Sequence, residues 1–508
     1  MTDSHSTIDE LVRHRAAQNP AKPVVIDPVN RITFAELDQH THATAAAFLE
    51  AGVTKGTRVG LIMPNGTAWV RTAIALTRIG AVLVPLSTLL APPELVAQLR
   101  GASVQYLVAV EEFRGHRYLD ELKSESQSPT DLPALHGVWT LDKLPRPSEA
   151  TTATVDAVAA TVTAADTLVI MFTSGSSGPP KGVIHSHGNA LGAVRSGLEA
   201  RCIGADTRLY LPMPFFWVGG FGSGILSVLL AGATLVTEEI PSPETTLRLL
   251  EREKVTLFRG WPDQAQALAR QSESVDADLS SLRPGSLEAL LPIDQRAAPG
   301  ARATLFGMTE AFGPYCGYPA DTDMPRSAWG SCGKPFAGTE VRIVDPDTGE
   351  PVPAGTVGMI QIRGPNTLRG ICRRSREEVF TADGFYPTGD LGHLDDDGFM
   401  FYHGRSDDMF KVSGATVYPS EVEQALRSID GVRNAFVTDV SGAVGAVVIA
   451  DAPVDRLREG ARKLLSAFKV PTVWLLVDSD DAIPRGGTGK VDAAALKQML
   501  ATQREAQR

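Results

Sequence analysis

The chain has 508 residues, of which 43% are hydrophobic and 21% are charged, and its formal net charge is −11. A single hydrophobic core stops growing near about 250 to 300 residues, so we expect at least two domains. The composition excludes wholesale disorder, and the acidic balance argues against a protein whose whole surface binds nucleic acid. A local basic site for a small phosphate-bearing ligand remains compatible with these numbers.

The amino terminus predicts a helix and carries no export signal. Thr7 and Glu10 have the spacing of a capping box, and no basic segment precedes an apolar stretch. The most apolar stretch, residues 224–236, is shorter than the roughly 18 to 20 residues that a membrane span needs. The four cysteines form no CxxC pair, which predicts reduced thiols, no disulfide and no zinc. We expect a soluble, cytoplasmic protein with no stable membrane insertion and no nucleic-acid partner.

Short β-rich runs alternate with helical stretches over the first half of the chain. The predicted strands cover residues 23–26, 59–63, 81–85, 168–172, 233–237 and 255–259, and a predicted helix covers residues 68–79. The alternation is typical of parallel sheets covered by helices, in which active-site loops follow the strand ends. The Ala-rich segment 151–165 is predicted to be a loose connector.

The pattern changes after residue 340. Strands at 341–344, 357–363 and 399–403, separated by Asp/Pro/Gly turns, predict a small antiparallel sheet or barrel. A helix at 420–429, strands near 435 and at 446–450, and a helix at 455–468 then predict a separate small domain. The predicted fold class is α/β: a large amino-terminal domain of layered α/β sheets with a small antiparallel β barrel (residues 1–405), and a small mobile α+β domain (residues 406–508).

A loop rich in small and hydroxyl residues follows the strand at 168–172. The segment 173–182 contains three glycines, four hydroxyl residues and one lysine. Glycines expose backbone amides, hydroxyls donate, and the lysine cation suits phosphate oxygens. The loop lacks the Gly-Lys-Ser/Thr ending of a Walker A motif, so a triphosphate site of another type is predicted. Its candidate ligands are Thr173, Ser174, Gly175, Ser176, Ser177, Gly178 and Lys181.

This loop closely resembles the signature loop of the adenylate-forming superfamily, the AMP-binding enzymes that include acyl-CoA synthetases, nonribosomal adenylation domains and luciferases. The segment Phe306-Gly307-Met308-Thr309-Glu310 resembles the family segment that contacts the nucleotide, where the threonine meets the α-phosphate and the glutamate holds magnesium. The resemblance assigns Gly307 and Met308 to the nucleotide site and Thr309 and Glu310 to catalysis.

Three later motifs extend the resemblance. Tyr386 to Leu391 resembles the ribose motif, in which Asp390 would accept hydrogen bonds from both ribose hydroxyls. Gly404-Arg405-Ser406-Asp407 is similar to the hinge, in which Arg405 also reaches the nucleotide and Asp407 is the pivot of the small domain. The loop ending at Lys490 is similar to the family's carboxyl-terminal loop, which implies that Lys490 lies between the substrate carboxylate and the α-phosphate during adenylation.

Two further assignments concern CoA and the acyl group. Ser413 and Gly414 would border the tunnel for the pantetheine arm of CoA. The segment 214–220 carries Trp217, where most relatives have histidine, followed by Gly219 and Gly220. A large apolar wall at this point indicates a hydrophobic acyl group.

The adenine side departs from the family pattern. Where relatives have a Gly-Gly-Ala-Pro type of loop, this sequence has Arg283-Pro284-Gly285-Ser286, and the interval to Gly307 is shortened. We expect Gly285 and Ser286 to rebuild the adenine contact and the helix below it to be truncated.

The resemblance covers practically the whole chain and implies an acyl-CoA ligase for a hydrophobic, bulky carboxylic acid. Such an enzyme uses ATP, Mg²⁺ and CoA, and alternates its domains between forming the acyl-adenylate and forming the thioester. The alternatives left open are a thioesterification-only enzyme that takes preformed acyl-AMP from a separate adenylating enzyme, an enzyme that loads an acyl carrier protein, and a non-catalytic nucleotide-binding relative. The sequence does not decide the oligomeric state, and a homodimer is one option.

Overall fold

The structure, a computed structural model, describes residues 5–126, 131–173, 180–406, 410–412, 415–465, 467–485 and 491–506. The chain divides into two compact units: Met1–Glu340 with Ile362–Phe385, and Val341–Gln361 with Tyr386–Arg508. The predicted boundary between residues 405 and 406 depends on a hinge at Asp407. That residue lies outside the described residues, so the boundary stays a prediction.

Helices and strands alternate along the first unit and continue into the second. The α-helices are α1 (Ile8–Gln18), α2 (Phe34–Glu50), α3 (Thr67–Arg78), α4 (Pro92–Gly101), α5 (Tyr118–Glu125), α6 (Glu149–Ala159), α7 (His187–Ser196), α8 (Ser227–Ala231), α9 (Pro243–Arg252), α10 (Pro262–Val275), α11 (Arg376–Val379), α12 (Pro419–Arg427), α13 (Val454–Leu464) and α14 (Ala493–Ala506). In the described residues, none of these helices combines the length and apolar character needed to cross a membrane.

The strands carry the sheets of both units. They are β1 (Pro23–Ile26), β2 (Arg31–Thr33), β3 (Arg58–Ile62), β4 (Val82–Pro85), β5 (Tyr106–Ala109), β6 (Gly137–Trp139), β7 (Thr167–Thr173), β8 (Lys181–Ser186), β9 (Arg208–Tyr210), β10 (Thr234–Val236), β11 (Leu257–Phe258), β12 (Phe306–Met308), β13 (Gly313–Gly317), β14 (Lys334–Pro335), β15 (Glu340–Val344), β16 (Gly358–Arg363), β17 (Gly370–Ile371), β18 (Tyr386–Leu394), β19 (Met400–Arg405), β20 (Phe410–Val412), β21 (Ala415–Val417), β22 (Val432–Val440), β23 (Ala443–Ala450) and β24 (Val473–Val477). The predicted α/β fold class is confirmed.

The largest sheet of the first unit has the order β17-β8-β7-β4-β3-β5-β6. Strands β3, β4, β5, β6 and β7 run parallel, as their continuous apolar sequences predict, since both faces of a parallel sheet are buried. Strand β8 pairs with β7 in the antiparallel direction. The Gly/Ser-rich loop therefore connects a hairpin, whereas the alternation pattern predicted a loop between a strand and a helix of a parallel sheet.

A second sheet of this unit has the order β11-β9-β10-β1-β2. Its strands β11, β9, β10 and β1 are parallel, so the segments that follow β9 and β11 leave the same edge of the sheet. The segment after β9 contains Trp217, and the segment after β11 begins at Arg259. Two distant parts of the sequence thus meet at this edge.

The Ala-rich segment proves to be a helix, so the prediction of a loose connector is wrong. Ser148 caps α6 by accepting a hydrogen bond from the backbone nitrogen of Thr151. Val155 and Ala159, one helical turn apart, are buried on the face that packs against α2. Alanine has the highest helix propensity, and this narrow stripe is enough to attach the otherwise largely exposed helix to α2. The predicted capping box at Thr7 and Glu10 is confirmed at the start of α1.

The second unit contains the sheet β15-β16-β18-β19, the hairpin β20-β21 and the sheet β22-β23-β24. In the first of these, β18 and β19 form an antiparallel pair, which agrees with the turn chemistry of the sequence. Helix α12 packs on β22, and fully buried Val422 and Leu426 join its inner face to the core around Trp474. The predicted strands near residue 435 and at 446–450 belong to β22 and β23.

Candidate active site

The two ends of the Gly/Ser-rich loop are held side by side. Thr173 ends β7, Lys181 begins β8, and the two residues are cross-strand partners. The candidate ligands Ser174, Gly175, Ser176, Ser177 and Gly178 between them lie outside the described residues. The hairpin therefore fixes both anchors of the loop, because neighbouring strands are only about 4.8 Å apart.

Strand β8 also holds the segment around Thr309, the second predicted phosphate contact, through a buried histidine. His185 Nε2 lies 2.8 Å from the backbone oxygen of Thr309, and His185 Nδ1 lies 2.8 Å from Asn189 Nδ2. Asn189 Oδ1 accepts from the backbone nitrogen of Ser186, which orients the amide so that its nitrogen donates to the ring. His185 Nδ1 is then the acceptor, and Nε2 carries the proton that is donated to Thr309.

The environment keeps this imidazole neutral. His185 is fully buried, and burial lowers its pKa to about 3. Its ring packs edge-on against Phe312, with the centroids 4.8 Å apart. A neutral ring with one donor and one acceptor satisfies both neighbours, so His185 is a fixed structural link between β8 and the turn at Thr309.

The turn Thr309–Ala311 is a single 3-10 turn that places Glu310. Glu310 is 7% exposed, and its backbone oxygen accepts a hydrogen bond of 2.8 Å from the nitrogen of Leu368. Met308 occupies the position before the turn. Gly307 is required there, because an added Cβ would lie 2.2 Å from the backbone oxygen of Gly313. The structure thus brings Gly307, Met308, Thr309 and Glu310 together as one rigid segment beside β8.

In the second unit, Asp390 and Arg405 are brought together by the β18–β19 register, in which they are cross-strand partners. Arg405 Nη1 lies 3.3 Å from Asp390 Oδ1 and donates to the backbone oxygen of Thr388 at 2.9 Å. Thr388 Oγ1 accepts from the backbone nitrogen of Asp390 and donates to the oxygen of Ile360. These bonds hold a nearly buried carboxylate acceptor beside a guanidinium donor.

The predicted acyl wall is built from the segment that follows β9. Asn65, in the loop after β3, donates through Nδ2 to the oxygen of Met213 at 3.0 Å and accepts through Oδ1 from the nitrogen of Phe215 at 2.8 Å. Fully buried Trp69 packs edge-on against Phe215. A single amide side chain therefore clamps the backbone that leads into Trp217.

Trp217 and the two glycines lie on this clamped segment. The Trp217 ring is edge-on to Trp261, with the centroids 5.9 Å apart. Gly219 and Gly220 begin a π-helical segment, Gly219–Leu226. Gly220 lies so close to the preceding turn that an added Cβ would stand 2.1 Å from the oxygen of Pro214. π-helical turns are rare and are frequent at functional sites.

The adenine-side segment is held from within the second sheet. Ser286 is 4% exposed, and its Oγ accepts from the backbone nitrogen of Phe258 at 3.1 Å. Gly285 has φ +95°, and its oxygen accepts from Arg259 Nη1 at 2.7 Å. Between α10 and β12 the described chain has only two 3-10 turns, so no α-helix lies where relatives are expected to have one.

Residues 12–372 match the family described as "AMP-binding enzyme". The chain belongs to the AMP-binding enzyme family. The predicted resemblance is thereby confirmed, and the match spans the hairpin loop, the Thr309 turn and the acyl wall.

Two curated relatives of this AMP-binding enzyme cover nearly its full length. A (7a-methyl-1,5-dioxo-octahydro-1H-inden-4-yl)propanoyl:CoA ligase from Mycobacterium tuberculosis is 32% identical over 97% of this chain and 98% of its own. A feruloyl-CoA synthase from Amycolatopsis sp is 32% identical over 94% of this chain and 96% of its own.

Solved structures support the fold. An anthranilate CoA ligase in complex with anthranoyl-AMP has a TM-score of 0.81 at 24% identity, with 98% of each chain covered. ATP-bound MatB from Rhodopseudomonas palustris has a TM-score of 0.78 at 24% identity, with 97% of this chain and 99% of that chain covered.

The remaining predicted residues of this AMP-binding enzyme cannot be located. Asp407, Ser413, Gly414 and Lys490 lie outside the described residues, so the hinge, the pantetheine tunnel and the catalytic lysine stay predictions.

Sequence reasoning missed Asn65, His185 and Arg259. Asn65 and His185 each form a hydrogen bond to a backbone atom that is 124 residues or more away in the chain, and no local pattern indicates these bonds. Arg259 had a signal: it is a charged residue at the end of an apolar strand, at the sheet edge where ligands bind in α/β proteins.

The site also fits the divalent cation that adenylate formation implies. Magnesium keeps several waters and takes one or two carboxylates together with substrate phosphate oxygens. Glu310 offers one nearly buried carboxylate directly after Thr309. Across the described ranges, no group of three or more His, Cys, Asp or Glu side chains could hold a metal ion without such help.

Proposed function

We propose that this enzyme is an AMP-forming acid–thiol ligase that activates a hydrophobic, bulky carboxylic acid with ATP and transfers the acyl group to CoA. The carrying observation is that β8 leaves the Gly/Ser-rich loop at Lys181 and also holds Thr309 through His185. The Gly/Ser-rich loop and the Thr309 turn, the two motifs proposed to contact the phosphates, are thus both attached to the same strand. The named relatives support CoA as the acceptor and ring-containing acids as substrates.

In the first half-reaction, a carboxylate oxygen of the acid attacks the α-phosphorus of ATP. A new oxygen–phosphorus bond forms, the bond to the β,γ-phosphate breaks, and pyrophosphate leaves. The barrier is largely the repulsion between two anions. Lys181 and Lys490 supply cations, Thr309 contacts the α-phosphate, and Asp390 with Arg405 orients the ribose and the nucleotide. Glu310 would hold magnesium, which when bound would supply additional positive charge to the phosphate oxygens.

In the second half-reaction, the CoA sulfur attacks the acyl carbonyl carbon, the carbon–sulfur bond forms and AMP leaves with the bonding electrons. Ser413 and Gly414 border the path of the pantetheine arm in this proposal, and Asp407 is the pivot that exchanges the two active arrangements. The acyl wall at Trp217, Gly219 and Gly220 excludes water from the activated acid. We further propose a cytoplasmic location, because the cysteines form no disulfide framework pattern.

The experiment is a screen of ring-containing carboxylic acids in which pyrophosphate release and thioester formation are measured separately. We expect pyrophosphate release to require the acid and ATP, and thioester to appear only when CoA is added. Acyl transfer to a carrier protein but not to CoA would refute the CoA assignment. Thioester from synthetic acyl-AMP, without any pyrophosphate release from acid plus ATP, would establish the thioesterification-only alternative.

Lysine substitutions separate catalysis from folding. Lys490→Ala should lower the rate of pyrophosphate release by about 100-fold or more, because one charge-stabilising donor is worth that much in comparable sites. Lys497→Ala is the matched control: Lys497 lies in α14 and forms a partly exposed ion pair of 2.9 Å with Asp439. Equal rates for the two variants would remove Lys490 from the mechanism.

A further inference from the structure

We propose that the acid substrate carries a second oxygen acceptor, remote from the carboxylate that is adenylated, and that Arg259 binds this group. The inference rests on the proposed function and specifies its substrate class. It makes Arg259 a specificity-determining residue on an otherwise apolar acyl wall.

Arg259 stands where the acyl wall is assembled. It directly follows β11, and its backbone nitrogen donates to the oxygen of Tyr210 at the end of β9. The segments after β9 and β11 leave the same sheet edge, and they touch through Trp217 and Trp261. The backbone of Arg259 therefore lies at the same sheet edge as the predicted acyl contacts, and its side chain extends from there to Gly285.

The Arg259 side chain has donors to spare. Its one hydrogen bond within the described residues is from Nη1 to the oxygen of Gly285, at 2.7 Å. It forms no ion pair with any carboxylate in the described part of the chain. Arg259 is half-buried, and none of its nitrogen atoms is sealed from solvent without a partner. The remaining N–H groups therefore keep hydrogen-bonding capacity that the described residues do not use.

A second arginine raises the positive charge of this region. Arg201 is 4% exposed and donates to the oxygens of Gly197 and Val194 and to the hydroxyl of Ser227. Burial, followed by the like charge of Arg259, lowers the pKa of Arg201 to about 9. A positive charge near a second buried guanidinium is unfavourable, and an oxygen acceptor with negative charge bound at Arg259 would reduce that cost.

Other arginines of the same sheet are neutralised by the chain itself. Arg283 lies 2.9 Å from Asp206, and Arg208 lies 2.8 Å from Glu253. Arg259 departs from this pattern, because it has no carboxylate partner in the described residues. The planar guanidinium is suited to a carboxylate or carbonyl group, and the Trp217 and Trp261 rings suit the hydrocarbon body between the two polar ends.

The test compares three acids of the same skeleton that end in a methyl group, a ketone or a carboxylate. Each acid is assayed with ATP and CoA present, and pyrophosphate release is measured for the wild type and for Arg259→Leu, Arg259→Lys and Arg283→Gln. The wild type should prefer one of the oxygenated acids. Arg259→Leu should lower kcat/KM for it by about 10- to 100-fold, chiefly through KM, and leave the methyl-ended acid unaffected.

Arg259→Lys should recover part of the preference, since it keeps a cation, and Arg283→Gln should keep the wild-type order. A wild-type preference for the ketone or for the carboxylate would support the proposal in either case, and would identify which oxygen acceptor Arg259 binds. An unchanged preference order in Arg259→Leu, or a rise confined to the KM for ATP, would overturn it. Absence of pyrophosphate release with every acid and every variant would instead refute the proposed function.

Discussion

The neighbouring glycines of the acyl wall provide a matched pair of substitutions. In Gly220→Ala, the new Cβ would stand 2.1 Å from the oxygen of Pro214, 2.5 Å from its carbonyl carbon and 2.8 Å from the Cα of Phe215. In Gly219→Ala, the nearest atom would be the sulfur of Met213 at 2.5 Å, and the next contact is at 3.7 Å. The first clash is with backbone, and the second is with the end of a flexible side chain.

The two clashes have different energetic costs. Carbon contacts are most favourable near about 3.5 to 4.0 Å, so Gly220→Ala must displace the backbone by about 1 Å or more, and overpacking of this kind costs about 1 to 3 kcal/mol. Rotating Met213 away costs about 0.5 to 1.5 kcal/mol. At either position, alanine is more favourable than glycine in a helix by about 0.5 to 1 kcal/mol, which offsets part of the cost of the clash. We therefore expect Gly219→Ala to be close to neutral and Gly220→Ala to be destabilised by about 1 kcal/mol relative to it.

Urea unfolding of both variants and the wild type measures this difference as a shift of the midpoint. Steady-state kinetics should also show a higher KM for the acid in Gly220→Ala, because the displaced backbone leads into Trp217, with the KM for ATP unchanged. Equal midpoints for the two variants, or a larger loss in Gly219→Ala, would refute the packing argument.

Three other predictions use single residues. Burial lowers the pKa of His185 to about 3 and that of His187 to about 4, so on acidification the unfolded chain takes up protons at a higher pH than the folded chain does. The free energy of unfolding should therefore have its full value above about pH 6.5 and fall as the pH drops from about 6.5 to 3. A flat profile from about pH 7 to 5 in urea titrations would contradict this. Ser286→Ala leaves the backbone nitrogen of Phe258 without its acceptor and should cost about 1 to 3 kcal/mol in the same assay, whereas an unchanged midpoint would show that water replaces the hydroxyl. Asp390→Asn keeps an acceptor but loses the charge, so the KM for ATP should rise about 10-fold; an unchanged KM would separate Asp390 from ribose binding.

Local sequence patterns predicted much of the fold because each depends on neighbouring residues. The apolar run at residues 23–26 became β1, and the amphipathic stretch at 420–429 became α12 with a boundary shift of one or two residues. Strand direction is not encoded locally, which is why the hairpin formed by β7 and β8 was not anticipated. The Ala-rich segment was misjudged because its apolar stripe consists of small residues, whose burial depends on α2.

Motif order supplied the candidate residues of the site but not the contacts that support them. Thr309 and Asp390 were identifiable from their segments, and their surroundings were not. His185 and Asn65 act through hydrogen bonds to backbone atoms far along the chain, and such bonds depend on the tertiary fold alone. The charge of Arg259 was visible in the sequence, but its unneutralised state became evident only with its neighbours in place.

Strand β8 has a geometric consequence for the chemistry. Lys181 and His185 are four residues apart on an extended strand, so they point to the same face and are separated by about 13 Å. The strand acts as a spacer of fixed length between the exit of the Gly/Ser-rich loop and the turn that presents Thr309 and Glu310. Inserting or deleting one residue within β8 would change that length by one residue step, and it would turn one of the two side chains to the opposite face of the strand. The spacing between these two segments is therefore kept only while this short strand keeps its length.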